Sequence, residues 1–152
     1  MRFAGVVCVV VVAAIAGATA GVAAERAGCR PTPNDGGGPD RGTMPLRAKI
    51  GTGHVLTGVV LSPTCAPIRG AQVSFWQANA NGVYTTRSRG GVLTGKLGRF
   101  RFEGPMPKGY DGRPGHIHIK VEAPDYEPLY TRYEPHGTRR GHVRLVLTPS
   151  AV

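Results

Sequence analysis

The nine residues from Tyr110 to His118, Tyr-Asp-Gly-Arg-Pro-Gly-His-Ile-His, gather a phenol, a guanidinium and two imidazoles. The histidines are two apart, and Ile119, Lys120 and Val121 continue an apolar/polar alternation that predicts a β-strand over 116–122. On a strand, side chains two apart share a face, with Cα atoms about 6.6 Å apart. His116 and His118 can therefore converge on one metal ion while Ile117 and Ile119 face a core. A second tyrosine, Tyr84, follows Trp76-Gln77-Ala78-Asn79 and a Gly82 turn. Two phenols and two imidazoles form an oxygen–nitrogen donor set that suits a hard, highly charged cation, ferric iron above all. A phenol ionises near pH 10 in water, and a trivalent ion makes the phenolate far easier to reach. Zinc is more usually held by Cys, His and carboxylates, and Asp111 is the one carboxylate near the run.

The elements that must position these groups read as short strands. Val55–Leu61 is rich in β-formers. Ala71–Gln77 alternates, with Ala71, Val73 and Phe75 on one side and Gln72, Ser74 and Trp76 on the other. Arg99–Glu103 alternates around Phe100 and Phe102, and His142–Leu147 closes the set. Between them stand turn signals: Ser62-Pro63, Arg69-Gly70, Asn81-Gly82, Gly90-Gly91, Leu97-Gly98 and Gly104-Pro105. Gly82 and Gly98 are expected at positive φ. No long helical periodicity follows the first two dozen residues. The expectation is all-β: an antiparallel β-sandwich over residues 51–150. Trp76 reads as core packing, and His54, His136 and His142 as surface groups. Tyr126, Tyr130 and Tyr133 could line a pocket or cover an edge.

Residues 1–24 read as a secretory signal peptide: Arg2, an apolar run, then Ala18-Thr19-Ala20 and Val22-Ala23-Ala24 as small-residue cleavage patterns. The run is also long enough for a membrane anchor, but no basic stop-transfer cluster follows it. The expected location is therefore exported, whether secreted, surface-held or periplasmic, with no membrane association after cleavage. Residues 25–50 form an arm whose prolines and Gly36-Gly37-Gly38 oppose regular structure. Cys8 would leave with the leader, and Cys29 and Cys65 would remain, a candidate disulfide in an oxidising compartment. The other use of these thiols, as metal ligands, has no close Cys pair to support it. The formal net charge is +10. The basic residues are scattered, Arg139-Arg140 is the only adjacent pair, and no nucleic-acid signature is present. The simplest reading is a solubilising surface biased toward anions.

In order and local spacing the chain resembles the intradiol ring-cleavage dioxygenases, particularly their small exported members. The parts are a Gly-x-Val strand at Gly58, Pro-x-x-Gly-Ala-x-Val at Pro67, Trp76-Gln77-Ala78-Asn79 with Gly82 and Tyr84, Gly-Arg-Phe-x-Phe at Gly98, Pro-x-x-Tyr at Pro107 and Arg-Pro-x-His-Ile-His at Arg113. The resemblance implies a β-sandwich catalytic domain holding non-haem Fe(III) through Tyr84, Tyr110, His116 and His118. It implies that a bound catechol displaces Tyr110, which then receives a substrate proton, and that Arg113 stabilises charge building on the ring. The implied reaction opens a small aromatic diol between its two hydroxylated carbons with O2, giving a muconate-type acid. One departure is Thr131-Arg132, where many members have Thr-Gln. A second reading is a non-catalytic exported β-sandwich that binds a ligand or wall polymer and keeps the motif as a relic. Ferric tyrosinate is coloured, so colour in the purified protein separates the two.

Overall fold

The structure, a computed structural model, describes residues 28–36, 38, 44–79 and 81–151. The leader expected over residues 1–24 lies outside them. Seven strands form: β1 (His54–Leu61), β2 (Gln72–Trp76), β3 (Arg89–Leu93), β4 (Arg99–Gly104), β5 (Ile117–Glu122), β6 (Leu129–Tyr133) and β7 (Arg140–Val146). They pair as a three-stranded sheet in the order β4-β1-β7 and a four-stranded sheet in the order β3-β2-β5-β6. Every pair is antiparallel except β1–β7, which is parallel.

Alternation explains the packing between the sheets. Leu56 and Val60 from β1, Phe100 and Phe102 from β4, and Leu145 from β7 meet Val73 and Phe75 from β2 and Ile117, Ile119 and Val121 from β5. Phe75 and Phe102 stack with centroids 4.3 Å apart. Ile117 and Ile119 thus face the core, as their spacing predicts, and His116 and His118 turn the other way. Gly82 and Gly98 adopt φ of 73° and 66°.

Three expectations change. Gly90-Gly91, expected as a turn, lies inside β3, where Gly90 pairs with Phe75. A Cβ at Gly90 would collide with the carbonyl oxygen of Arg47, so the glycine admits a crossing backbone. His54, expected at the surface, is buried. It shares the inward face of β1 with Leu56 and Val60, its Nδ1 lies 2.8 Å from the Thr138 carbonyl, and its ring stacks on Tyr133. Trp76 is buried but on the far side of its sheet from Phe75, outside the main apolar cluster.

The arm is tied down where it is described. Cys29 and Cys65 form a disulfide. Thr32 exchanges hydrogen bonds with Val146 on β7, and Asp35 N–H donates to the Tyr130 carbonyl on β6. Farther along, Leu46 bridges Gly91 on β3, while Ala48 and Ile50 bond Glu103 on β4. These four strands are the outer strands of the two sheets.

Candidate metal centre

The cluster sits on the outer face of the four-stranded sheet, at the end where β5 begins. His116 immediately precedes β5 and His118 is its second residue. His118 lies in register between Trp76 on β2 and Arg132 on β6. The Trp76 indole stacks on the His118 imidazole with centroids 5.2 Å apart and planes 11° apart, which fixes the ring's tilt.

Tyr84 arrives on a loop shaped by Asn79. The Asn79 Oδ1 accepts hydrogen bonds from the N–H groups of Asn81 and Val83, and its own N–H donates to the Val83 carbonyl. A Cβ at Gly82 would stand 3.1 Å from the Tyr110 ring, so this glycine supplies both the positive φ and the clearance for Tyr110. Tyr110 and Arg113 face each other across a tight turn, each donating its N–H to the other's carbonyl. Asp111 and Gly112 at its centre have φ of 48° and 72°, the left-handed pair that Asp-Gly accommodates. Asp111 is exposed and does not line the cavity; Asp35 and Glu134 do.

The four candidate donors meet. The Tyr84 hydroxyl lies 2.7 Å from the Tyr110 hydroxyl and 2.9 Å from His118 Nε2, which is 3.1 Å from His116 Nε2. His116 Nδ1 lies 2.9 Å from the Pro114 carbonyl. A carbonyl can only accept, so Nδ1 carries the proton and Nε2 keeps a lone pair toward the cluster. Burial pushes the His118 pKa down to about 4. The neighbouring His116 and the Arg132 and Arg113 cations push the same way, and Asp35 opposes them. His118 is therefore neutral at physiological pH, the state a metal ligand needs. Two imidazole nitrogens and two phenol oxygens crowd one point with too few protons to satisfy every pair, and a cation there would satisfy all four. Among the described residues no group of three or more His, Cys, Asp or Glu could hold a metal, so such a cation would need the phenols. The residues present fit ferric iron.

The donors open onto a cavity of about 500 Å³ whose wall includes Arg113, Arg132, Glu134, Asp35 and Gly38. Arg132 pairs with Glu134 at 3.3 Å. The structure thus brings together Tyr84, Tyr110, Arg113, His116 and His118, and adds Arg132. Tyr126, Tyr130 and Tyr133 do not line this cavity; Tyr126 and Tyr133 pack against the core. Sequence reasoning missed three wall residues and one support. Glu134 is two residues beyond Arg132, a signal that becomes visible once β6 is recognised. Asp35 and Gly38 lie in a segment without periodicity and left none. Trp76 reads from the sequence as core packing, and its stacking on His118 leaves no local signal.

A family model described as Dioxygenase matches residues 37–140. The chain is 32% identical over 124 residues to a hydroxyquinol 1,2-dioxygenase of Rhizobium sp. (strain MTP-10005), covering 60% of this chain and 42% of that protein. It spans less than half the length of the curated relatives it matches. Among solved structures it is similar to the dioxygenase domain of a dioxygenase–carbohydrate-binding protein fusion from Streptomyces sp. SirexAA-E. That match has 28% identity and a TM-score of 0.70, and covers 80% of this chain and 100% of that one. An intradiol ring-cleavage dioxygenase from Tetranychus urticae shares the fold at 19% identity and a TM-score of 0.71, covering 81% of this chain and 97% of the other.

Proposed function

Given that this chain belongs to the intradiol ring-cleavage dioxygenase family, we propose that it binds non-haem Fe(III) and cleaves a catechol-type ring between its hydroxylated carbons. Both atoms of O2 enter the product, a muconate-type diacid. The observation that carries this reading is the meeting of the Tyr84 and Tyr110 hydroxyls with the Nε2 atoms of His116 and His118.

Tyr84, Tyr110, His116 and His118 would hold the metal. Ferric iron, when bound, supplies the Lewis acidity that ionises the diol and makes the ring reactive toward oxygen. The protein's own groups orient and neutralise. The Pro114 carbonyl holds His116 in the tautomer that presents Nε2, and Trp76 keeps the His118 ring from swinging. Tyr84 and Tyr110 are both half-buried and both line the cavity; by the family resemblance Tyr110 is the one whose oxygen receives a proton from the incoming diol. Arg113 stands at the cavity wall as a fixed cation against negative charge developing on the ring. Arg132 beside it suits an anionic or polyphenolic aromatic. The reading includes export, with residues 1–24 as a cleaved leader, 25–50 as an arm and 51–150 as the catalytic sandwich.

The test is direct. Protein purified with iron should be red-brown, take up oxygen with members of a catechol panel, and yield a ring-opened acid by mass spectrometry. Colourless protein that neither retains iron nor consumes oxygen would leave the non-catalytic binding domain as the reading.

A further inference from the structure

We propose that the outer face of the three-stranded sheet is a docking surface for an acidic polysaccharide, a chain of sugars bearing carboxylates. The register of the sheet gathers basic residues that are scattered in sequence. On the outward positions, Val59 stands between Arg99 and Arg144, Thr57 between Arg101 and His142, and Val55 between Glu103 and Arg140. Strands β4 and β7 thus form two cationic rails, with residues about 6.6 Å apart along each and the rails about 10 Å apart. Between them runs a half-buried strip of Val55, Thr57 and Val59. An open groove of about 600 Å³ lies along this face and is bordered by Thr57, Val59, Arg99 and His142, with the exposed Leu97 at one end.

Most of this charge has no carboxylate beside it, although the Arg144 guanidinium also rests against the sulfurs of the Cys29–Cys65 disulfide. Arg99, Arg101, Arg140 and Arg144 are all exposed. Glu103 is the only carboxylate on the three strands, and it is already neutralised by Lys49 at 3.0 Å and Arg101 at 2.9 Å. Arg99, Arg140 and Arg144 form no ion pair with a carboxylate among the described residues. Two rows that carry four arginines against one carboxylate, itself already paired, leave a net positive face that attracts an extended polyanion.

The surface chemistry selects which polyanion. Single-stranded nucleic acid is held on basic grooves interleaved with aromatic stacking platforms; here Phe102 is buried, and Phe100, which lines the groove, is only 6% exposed and presents no open ring face for a base. Duplex readers send a helix or ribbon into a groove, whereas this is a sheet face. A flat strip of Thr and β-branched residues flanked by guanidinium groups suits sugar rings with carboxylates on either side. The face also lies opposite the Tyr/His cavity, which opens from the outer side of the other sheet, so a polymer docked here leaves that cavity open. The inference does not depend on the catalytic reading.

The experiment is depletion of the purified protein from solution by immobilised polygalacturonate at low and high salt. The protein should bind at low salt and release as salt rises. An Arg99→Gln/Arg140→Gln/Arg144→Gln variant should bind roughly tenfold more weakly or worse, with an unchanged site, while the matching Arg→Lys triple variant retains binding and guards against misfolding. Absence of binding at low salt, or undiminished binding by the Gln variant, overturns the proposal. So does tighter binding of a single-stranded deoxyoligonucleotide than of polygalacturonate at the same salt.

Discussion

Replacing Tyr84 with Phe removes one oxygen atom and little else, which makes it the sharpest probe of the cluster. In the metal-free protein that oxygen contacts the Tyr110 hydroxyl at 2.7 Å and His118 Nε2 at 2.9 Å. A hydrogen bond contributes about 1 kcal/mol net, and the ring itself stays, so Tyr84→Phe should cost the metal-free protein about 1–2 kcal/mol. With iron the loss should be larger. A ligand present at 100 times its dissociation constant stabilises by about 2.7 kcal/mol, and a donor set reduced from four to three forfeits much of that. The assay is thermal unfolding with and without ferric iron, paired with the visible spectrum. Wild type should gain stability and colour on loading; the variant should gain less of both, its absorption weakened or shifted. Tyr126→Phe, outside the cavity, should behave as wild type. If Tyr84→Phe loads iron with the wild-type spectrum and thermal gain, the convergence of these side chains is not a metal site and the reasoning fails.

Other expectations can be checked with the same material. In a Gly82→Ala variant the new methyl stands 3.1 Å from the Tyr110 ring at a backbone φ of 73°; a loss of about 1–2 kcal/mol in chemical denaturation, with a displaced iron spectrum, is the expected result. Removing the Cys29–Cys65 disulfide, which closes a separation of 36 residues, should cost about 3–4 kcal/mol, read as a lowered urea midpoint under reducing conditions or in the double Ser variant. His118 in the metal-free protein has its pKa pushed down to about 4 from an ordinary value of 6.5. The unfolded chain therefore binds that proton more readily between the two values, and acidification across this window should erode stability. An NMR titration of the imidazole resonances should show His118 still neutral at pH 5.5; a midpoint near 6.5 would contradict the burial argument.

Period two carried most of what was legible in the sequence. It marked β2, β4, β5 and β7, while β1 showed through its β-forming residues, and it turned His116 and His118 away from Ile117 and Ile119. The failures have physical causes. Gly90-Gly91 has the composition of a turn because it lacks side chains, and β3 lacks them because Arg47 crosses there. His54 looked like a surface group because a buried imidazole needs an acceptor, here the Thr138 carbonyl, which lies 84 residues away. The Arg113 and Tyr110 placement rests on a two-residue Asp-Gly turn, a local signal present in the sequence and left unused. Asp35 and Gly38 reach the cavity through bonds to β6 and β7, which no local pattern encodes.

The segment before β1 has a consequence for what counts as the smallest folding piece. A strand at the margin of a sheet offers bare N–H and C=O groups to any neighbour. All four margins of this sandwich take backbone partners from residues 32–50. A protein trimmed to begin at Gly51 would keep its seven strands but lose its hems. Such a trimmed version should cling to itself and come out of solution, even though every side chain of the Tyr/His cluster would still be encoded in it.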